Sequence, residues 1–112
     1  MATVRRGDIV AVDFYYTDRD QTKRRPALVL SSANYLSGRE EVLLAGLTGN
    51  VHRHLPGDTR LQDWEEADLP RPSVVMGIIQ TAKQSVLLRV VGRLTPRDLS
   101  AVDANLRAAL VL

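Results

Sequence analysis

Apolar positions fall in short β-branched runs along most of the chain and take up a helical period only at its end. Ile9-Val10-Ala11-Val12-Asp13-Phe14 follows the turn signal Gly7-Asp8 and predicts a first strand. Tyr15 to Lys23 is polar, with Asp18, Asp20 and Thr22, and predicts a loop. Pro26 to Ser32 is apolar on both faces, which predicts a central second strand opened by its proline. After a turn at Ser37-Gly38-Arg39, Glu41 to Leu47 predicts a third strand that ends at Thr48-Gly49-Asn50. Thr59 to Leu61 predicts a short strand. Gln62 to Leu69 predicts a short helix carrying Trp64, stopped by Pro70 and Pro72. Ser73 to Ile79 and Val86 to Leu94 complete the strands.

The terminal helix has the plainest signals. Thr95-Pro96-Arg97-Asp98 sets an N-cap, a proline in the first turn and an acid at the third position. Leu99, Val102, Leu106, Ala109 and Leu110 then recur at helical spacing, a stripe for core packing. Strands followed by one closing helix predict a mainly β (α+β) fold, a small, strongly bent sheet or barrel with a helix packed on it. The 112 residues suit a single domain, and no repeat or linker interrupts residues 1–112.

Composition narrows the chemistry. The chain has no cysteine, which removes disulfides, thiolate nucleophiles and Cys-based zinc sites. Neither a signal-peptide pattern nor a membrane-length apolar run is present, so a cytoplasmic protein is expected. The formal net charge is only +2, but its distribution is uneven. Arg5, Arg6 and Arg19 precede the run Lys23-Arg24-Arg25, while acid gathers at Asp58, Asp63, Glu65, Glu66 and Asp68. Opposed patches of this kind orient an anionic ligand.

Three common chemistries find no support. His52 and His54 lack a third ligand at a recognised spacing, so no metal site is expected. There is no Gly-x-Ser-x-Gly elbow and no glycine-rich phosphate loop before a helix. RNA offers another route, because its own 2′-hydroxyl can attack the adjacent phosphate. A protein then supplies positioning and charge stabilisation, without a cofactor. An arginine fork suits that phosphate, and Arg25 stands where a polar loop enters a central strand.

Arg25-Pro26-Ala27-Leu28-Val29-Leu30-Ser31, preceded by Asp20-Gln21, resembles the signature of the MazF/PemK toxins, ribonucleases of toxin–antitoxin pairs. Arg6-Gly7-Asp8-Ile9-Val10 resembles that family's opening strand, and Ala45-Gly46-Leu47-Thr48 the end of its third. Pro72-Ser73-Val74-Val75, Gly92-Arg93-Leu94 and the helix from Asp98 to Leu110 resemble its later elements. The resemblance implies an SH3-like barrel of the CcdB/MazF/PemK type, a homodimer, and cleavage of single-stranded RNA to a 2′,3′-cyclic phosphate and a 5′-hydroxyl. It also implies a cognate antitoxin as protein partner. Under it Arg25 and Thr48 are the catalytic pair. Asp20, Gln21, Lys23, Arg24, Asn50, His52, Arg53 and Gln80 are candidate RNA contacts.

The chain departs from the family pattern in places. Asp20 stands where glutamate is common, Lys23 where a glycine often follows, and Gln80 before Thr81 where many members carry arginine. Two other readings compete. CcdB-type toxins share the barrel and poison gyrase, but they rely on a tryptophan near the end of the last helix. Here the only tryptophan is Trp64 and the chain ends Ala108-Ala109-Leu110-Val111-Leu112. The other reading is a non-catalytic nucleic-acid-binding barrel.

Overall fold

The computed structural model describes residues 3–16 and 21–112, with side chains outside residues 14–21. Six strands form one antiparallel sheet: β1 (Asp8–Tyr16), β2 (Gln21–Val29), β3 (Glu41–Thr48), β4 (Thr59–Arg60), β5 (Val74–Lys83) and β6 (Leu87–Arg93). Their spatial order is β4-β5-β3-β2-β1-β6. Two helices, α1 (Ala33–Gly38) and α2 (Pro96–Leu110), complete the described architecture, with one 3-10 turn at Gln84–Val86.

Side chains alternate across a strand, so β1–β3 feed two apolar layers. Ile9, Leu28, Ala45, Leu47 and Val75 build one, closed by Val102 of α2 with Leu99 and Leu106 beside it. Val10, Val12, Ala27, Val29, Val42 and Leu44 build the other, on the opposite face of the same strands.

The predicted N-cap of α2 forms: the Thr95 hydroxyl accepts from the Asp98 amide, with Pro96 in the first turn. Asp98, only 1% exposed, accepts from the amides of Gln62 (3.0 Å) and Asp63 (2.8 Å) and so anchors the helix to the preceding turns. Gly7 adopts φ +94°, a conformation that glycine tolerates best, and bonds Val29 through its N–H and Leu94 through its carbonyl. The apolar stripe of α2 ends early, because Leu110, Val111 and Leu112 are exposed.

Several elements differ from expectation. β1 and β2 extend into the stretch expected to be a loop, pairing from Ile9↔Leu28 to Tyr16↔Gln21. Pro26 therefore lies inside β2 rather than opening it. It supplies no donor, but pairing with β3 covers only Ala27 to Val29, so no β2–β3 bond is asked of it. The expected end of the second strand gives way to α1, capped by the Ser32 hydroxyl accepting from Tyr35. Residues 62–69 form consecutive turns, not a helix, with Asp68 at φ +63°. That region is held by tertiary bonds to Asp98, which override local helix propensity.

Candidate active site

Cross-strand register assembles the site. β2 and β3 pair as Ala27↔Gly46, Leu28↔Ala45 and Val29↔Leu44. Continuing that register by two residues sets Arg25 level with Thr48. Residues opposite each other leave the sheet on the same face. Arg25 and Thr48 therefore share the face of Ala27 and Val29, at the end where β2 and β3 cease to pair. Both are partly exposed, a rigid sheet below and solvent above.

The row continues beyond β3. Thr48 pairs with Val74 of β5, and Val74 with Arg60 of β4. Arg25, Thr48, Val74 and Arg60 thus lie across four neighbouring strands in one line. Gly46 stays bare beside this row, where a β-carbon would come within 3.1 Å of the Met76 methyl.

Local bonding orients Thr48. Its Oγ1 accepts from the Asn50 amide at 3.2 Å, which leaves the hydroxyl proton to be donated. Asn50 in turn accepts from the His52 amide through Oδ1 (3.2 Å) and from the Arg53 amide through its carbonyl (3.2 Å). The turn after β3 thereby holds Thr48, Asn50 and His52 together, with Asn50 and His52 exposed.

The other candidates separate. Lys23 is exposed and, by alternation, on the Arg25 face. Arg24 leaves the opposite face, pairs across the strands with Asp13 and donates from Nε to Asp13 Oδ1 at 3.1 Å. Arg53 lies with Nε 2.9 Å from Asp58 Oδ2, a fold-holding contact. Gln80 is exposed and pairs with Leu44, on the Arg25 face but four residues along β3 from Thr48, about 13 Å at strand rise. Gln21 opens β2 opposite Tyr16. Asp20 lies outside the described residues.

The expected opposition of a basic and an acidic patch does not describe these charges. Arg6 donates to the Leu30 carbonyl at 2.8 Å and pairs with Asp103. Asp58 accepts from Leu55 and Gly77 amides at 3.2 and 2.8 Å. Burial raises its pKa, but the Gly77 and Leu55 N–H groups and Arg53 outweigh that and hold it below the usual carboxylate range. Asp63 is lowered chiefly by its bond from Arg97, then by the Thr95 hydroxyl. Among the described residues, no three His, Asp or Glu side chains cluster as metal ligands.

One neighbour escaped the sequence reading. A β-carbon at Gly49 would meet Arg71 Cδ at 3.0 Å, so the Arg71 stem lies over the backbone next to Thr48. No local pattern in the sequence marks this contact, because it comes from the order of the strands.

A family model for the PemK-like, MazF-like toxins of type II toxin–antitoxin systems matches residues 5–110. The chain belongs to this family. Comparison of the toxin with curated proteins gives no match. Its fold is that of solved MazF toxins. A mycobacterial endoribonuclease, solved with its cognate antitoxin, aligns at TM-score 0.81 and 22% identity, over 98% of this chain and 97% of that one. The Mycobacterium tuberculosis toxin MazF-mt6 aligns at TM-score 0.75 and 25% identity, over 94% and 97%. MazF of Deinococcus radiodurans aligns at TM-score 0.78 and 23% identity, over the full length of both chains.

Proposed function

We propose that this toxin is an endoribonuclease that cleaves single-stranded RNA by attack of the 2′-hydroxyl, using Arg25 and Thr48 and no metal. The observation that carries the reading is the cross-strand alignment of these two side chains on one partly exposed face. Family membership and the likeness to a mycobacterial endoribonuclease support it.

In this mechanism the 2′-oxygen bonds to phosphorus as the bond from phosphorus to the 5′-oxygen breaks. The 2′-proton passes to solvent, and the departing 5′-oxygen takes up a proton. The products are a 2′,3′-cyclic phosphate and a 5′-hydroxyl. Arg25 binds the non-bridging oxygens and offsets the negative charge that grows on them. An arginine is too weak an acid to serve as base at neutral pH, so charge stabilisation is its task. Thr48 donates its hydroxyl proton to the same phosphate. Lys23, Asn50 and His52 flank the pair along the RNA path.

We also infer a protein antitoxin, since the similar mycobacterial endoribonuclease was solved in complex with its own. A second copy of the chain would cover exposed apolar side chains such as Ile78, Leu88 and Leu110. Among the described residues no helix is long and apolar enough to cross a membrane, and action on messenger RNA in the cytoplasm fits the reading.

The test incubates the purified chain, verified by mass to be free of partner, with mixed-sequence single-stranded RNA in EDTA. Fragments with cyclic-phosphate ends are expected. Intact RNA, or cleavage that needs an added divalent ion, contradicts the proposal.

A further inference from the structure

The third strand carries a bare position on the face of the candidate site. Gly46 alternates with Leu44 and Thr48 along β3 and pairs with Ala27, so it faces the side of Arg25 and Thr48. β3 and β5 pair at Ala45↔Ile79 and next at Leu47↔Val75, so Met76, Gly77 and Ile78 bow out opposite Gly46 alone. The Met76 side chain folds back over that position: a β-carbon on Gly46 would come within 3.1 Å of its Cε methyl. Two residues of strand, about 7 Å, separate Gly46 from Thr48, and the same step separates Ala27 from Arg25.

Met76 is partly exposed and belongs to neither apolar layer of the core. The chain has no cysteine and two methionines, Met1 and Met76. A thioether is a soft, polarizable group that peroxides oxidise. With no thiol to compete, Met76 is the internal sulfur that meets an oxidant, and it lies beside the two residues assigned to the phosphate.

We propose that Met76 is an oxidation site through which peroxide silences the toxin. The proposal rests on the endoribonuclease reading above. The sulfur lone pair attacks one oxygen of hydrogen peroxide. The S–O bond forms as the O–O bond breaks, and the released hydroxide takes up the proton from the transferred oxygen and leaves as water. Sulfur is oxidised to the sulfoxide, which is polar and carries a strong acceptor oxygen. That oxygen competes with the RNA phosphate for the Arg25 guanidinium. The contact over Gly46, already tight, also has no room for the added atom. A methionine sulfoxide reductase with a dithiol reverses the block: the oxygen leaves as water and the dithiol becomes a disulfide.

The test treats the purified toxin with hydrogen peroxide, removes the excess with catalase and measures single-turnover cleavage in EDTA. Peptide mass spectrometry on the same sample gives the fraction of Met76 carrying one added oxygen. Cleavage is expected to fall about tenfold or more, in proportion to that fraction, while the melting curve stays that of untreated toxin. Both stereospecific sulfoxide reductases with a dithiol are expected to restore it, a readout that needs no variant. Met76→Leu is expected to keep its own untreated rate through the same peroxide treatment. Full cleavage by toxin whose Met76 is oxidised overturns the proposal and leaves the endoribonuclease reading standing. So does a loss that persists in Met76→Leu, or a Met76 that stays unoxidised while Met1 is converted. RNA left intact by untreated toxin overturns the endoribonuclease reading and this proposal with it.

Discussion

Two charged regions of this toxin lie close together and do opposite work. In the turns from Leu55 to Asp63, carboxylates are consumed by the fold. Asp58, its side chain 3% exposed, takes bonds from two amides and faces Arg53. Asp63 takes bonds from Thr95 and Arg97, and Asp98 behind it takes two more amides. Arg60, in the same stretch, instead joins Thr48 and Arg25 in a cross-strand row on the sheet face, all three at least partly exposed. Charge counted along the sequence treats both regions alike. What separates them is the set of local donors: the Leu55 turn amide, the Gly77 amide where β5 departs from regular pairing with β3, and the Thr95 and Arg97 side chains all take these carboxylates as acceptors.

That contrast breaks if substitutions in the two regions have the same consequence. The largest effect is expected at Arg25→Ala, which should lower cleavage about 10³-fold while thermal stability stays within about 0.5 kcal/mol of the parent. Single-turnover cleavage and a melting curve on the same sample check both halves. Asp98→Ala should do the reverse. It strands the Gln62 and Asp63 amides, costs about 2–4 kcal/mol and lowers Tm by roughly 10–20 °C. Cleavage measured well below the new Tm should persist.

A smaller effect sharpens the comparison through pH. Asp58 has its folded pKa lowered, so it binds fewer protons folded than unfolded below the ordinary carboxylate pKa of about 4. Its contribution is fully present above that pH and lost as pH falls through the folded value. Denaturant titrations across the acid range should show a shallower loss of stability in Asp58→Asn than in the parent. The smallest effect is expected at Arg24→Ala. Arg24 sits on the opposite face in an exposed pair with Asp13, worth about 0–1 kcal/mol, and cleavage should change less than tenfold.

Much of this architecture is legible in the residues. The β-branched runs at Ile9 and Glu41 and the Thr95-Pro96 cap mark elements that form close to where the pattern puts them. The turn at residues 62–69 is not legible, because its conformation depends on Asp98, more than 30 residues away. The α1 helix hides behind the apolar run that precedes it. In the site, the alternation between Arg24 and Arg25 separates the neighbours once a strand is assumed. The loop expected through Lys23 concealed that, since a loop has no period. Arg60 and Arg71 were invisible for a related reason. Their nearness to Thr48 comes from the β4–β5–β3 order, which no local pattern encodes.

The central claim is that Arg25 and Thr48 act on one phosphate. A double-mutant cycle on single-turnover cleavage tests it directly, with Arg25→Ala, Thr48→Ala and the double variant on one RNA in EDTA. If both groups hold the same phosphate, the double variant should lose far less than the product of the single losses, a coupling of about 1–3 kcal/mol. Losses that multiply as independent factors, or an Arg25→Ala variant as active as the parent, would contradict the account.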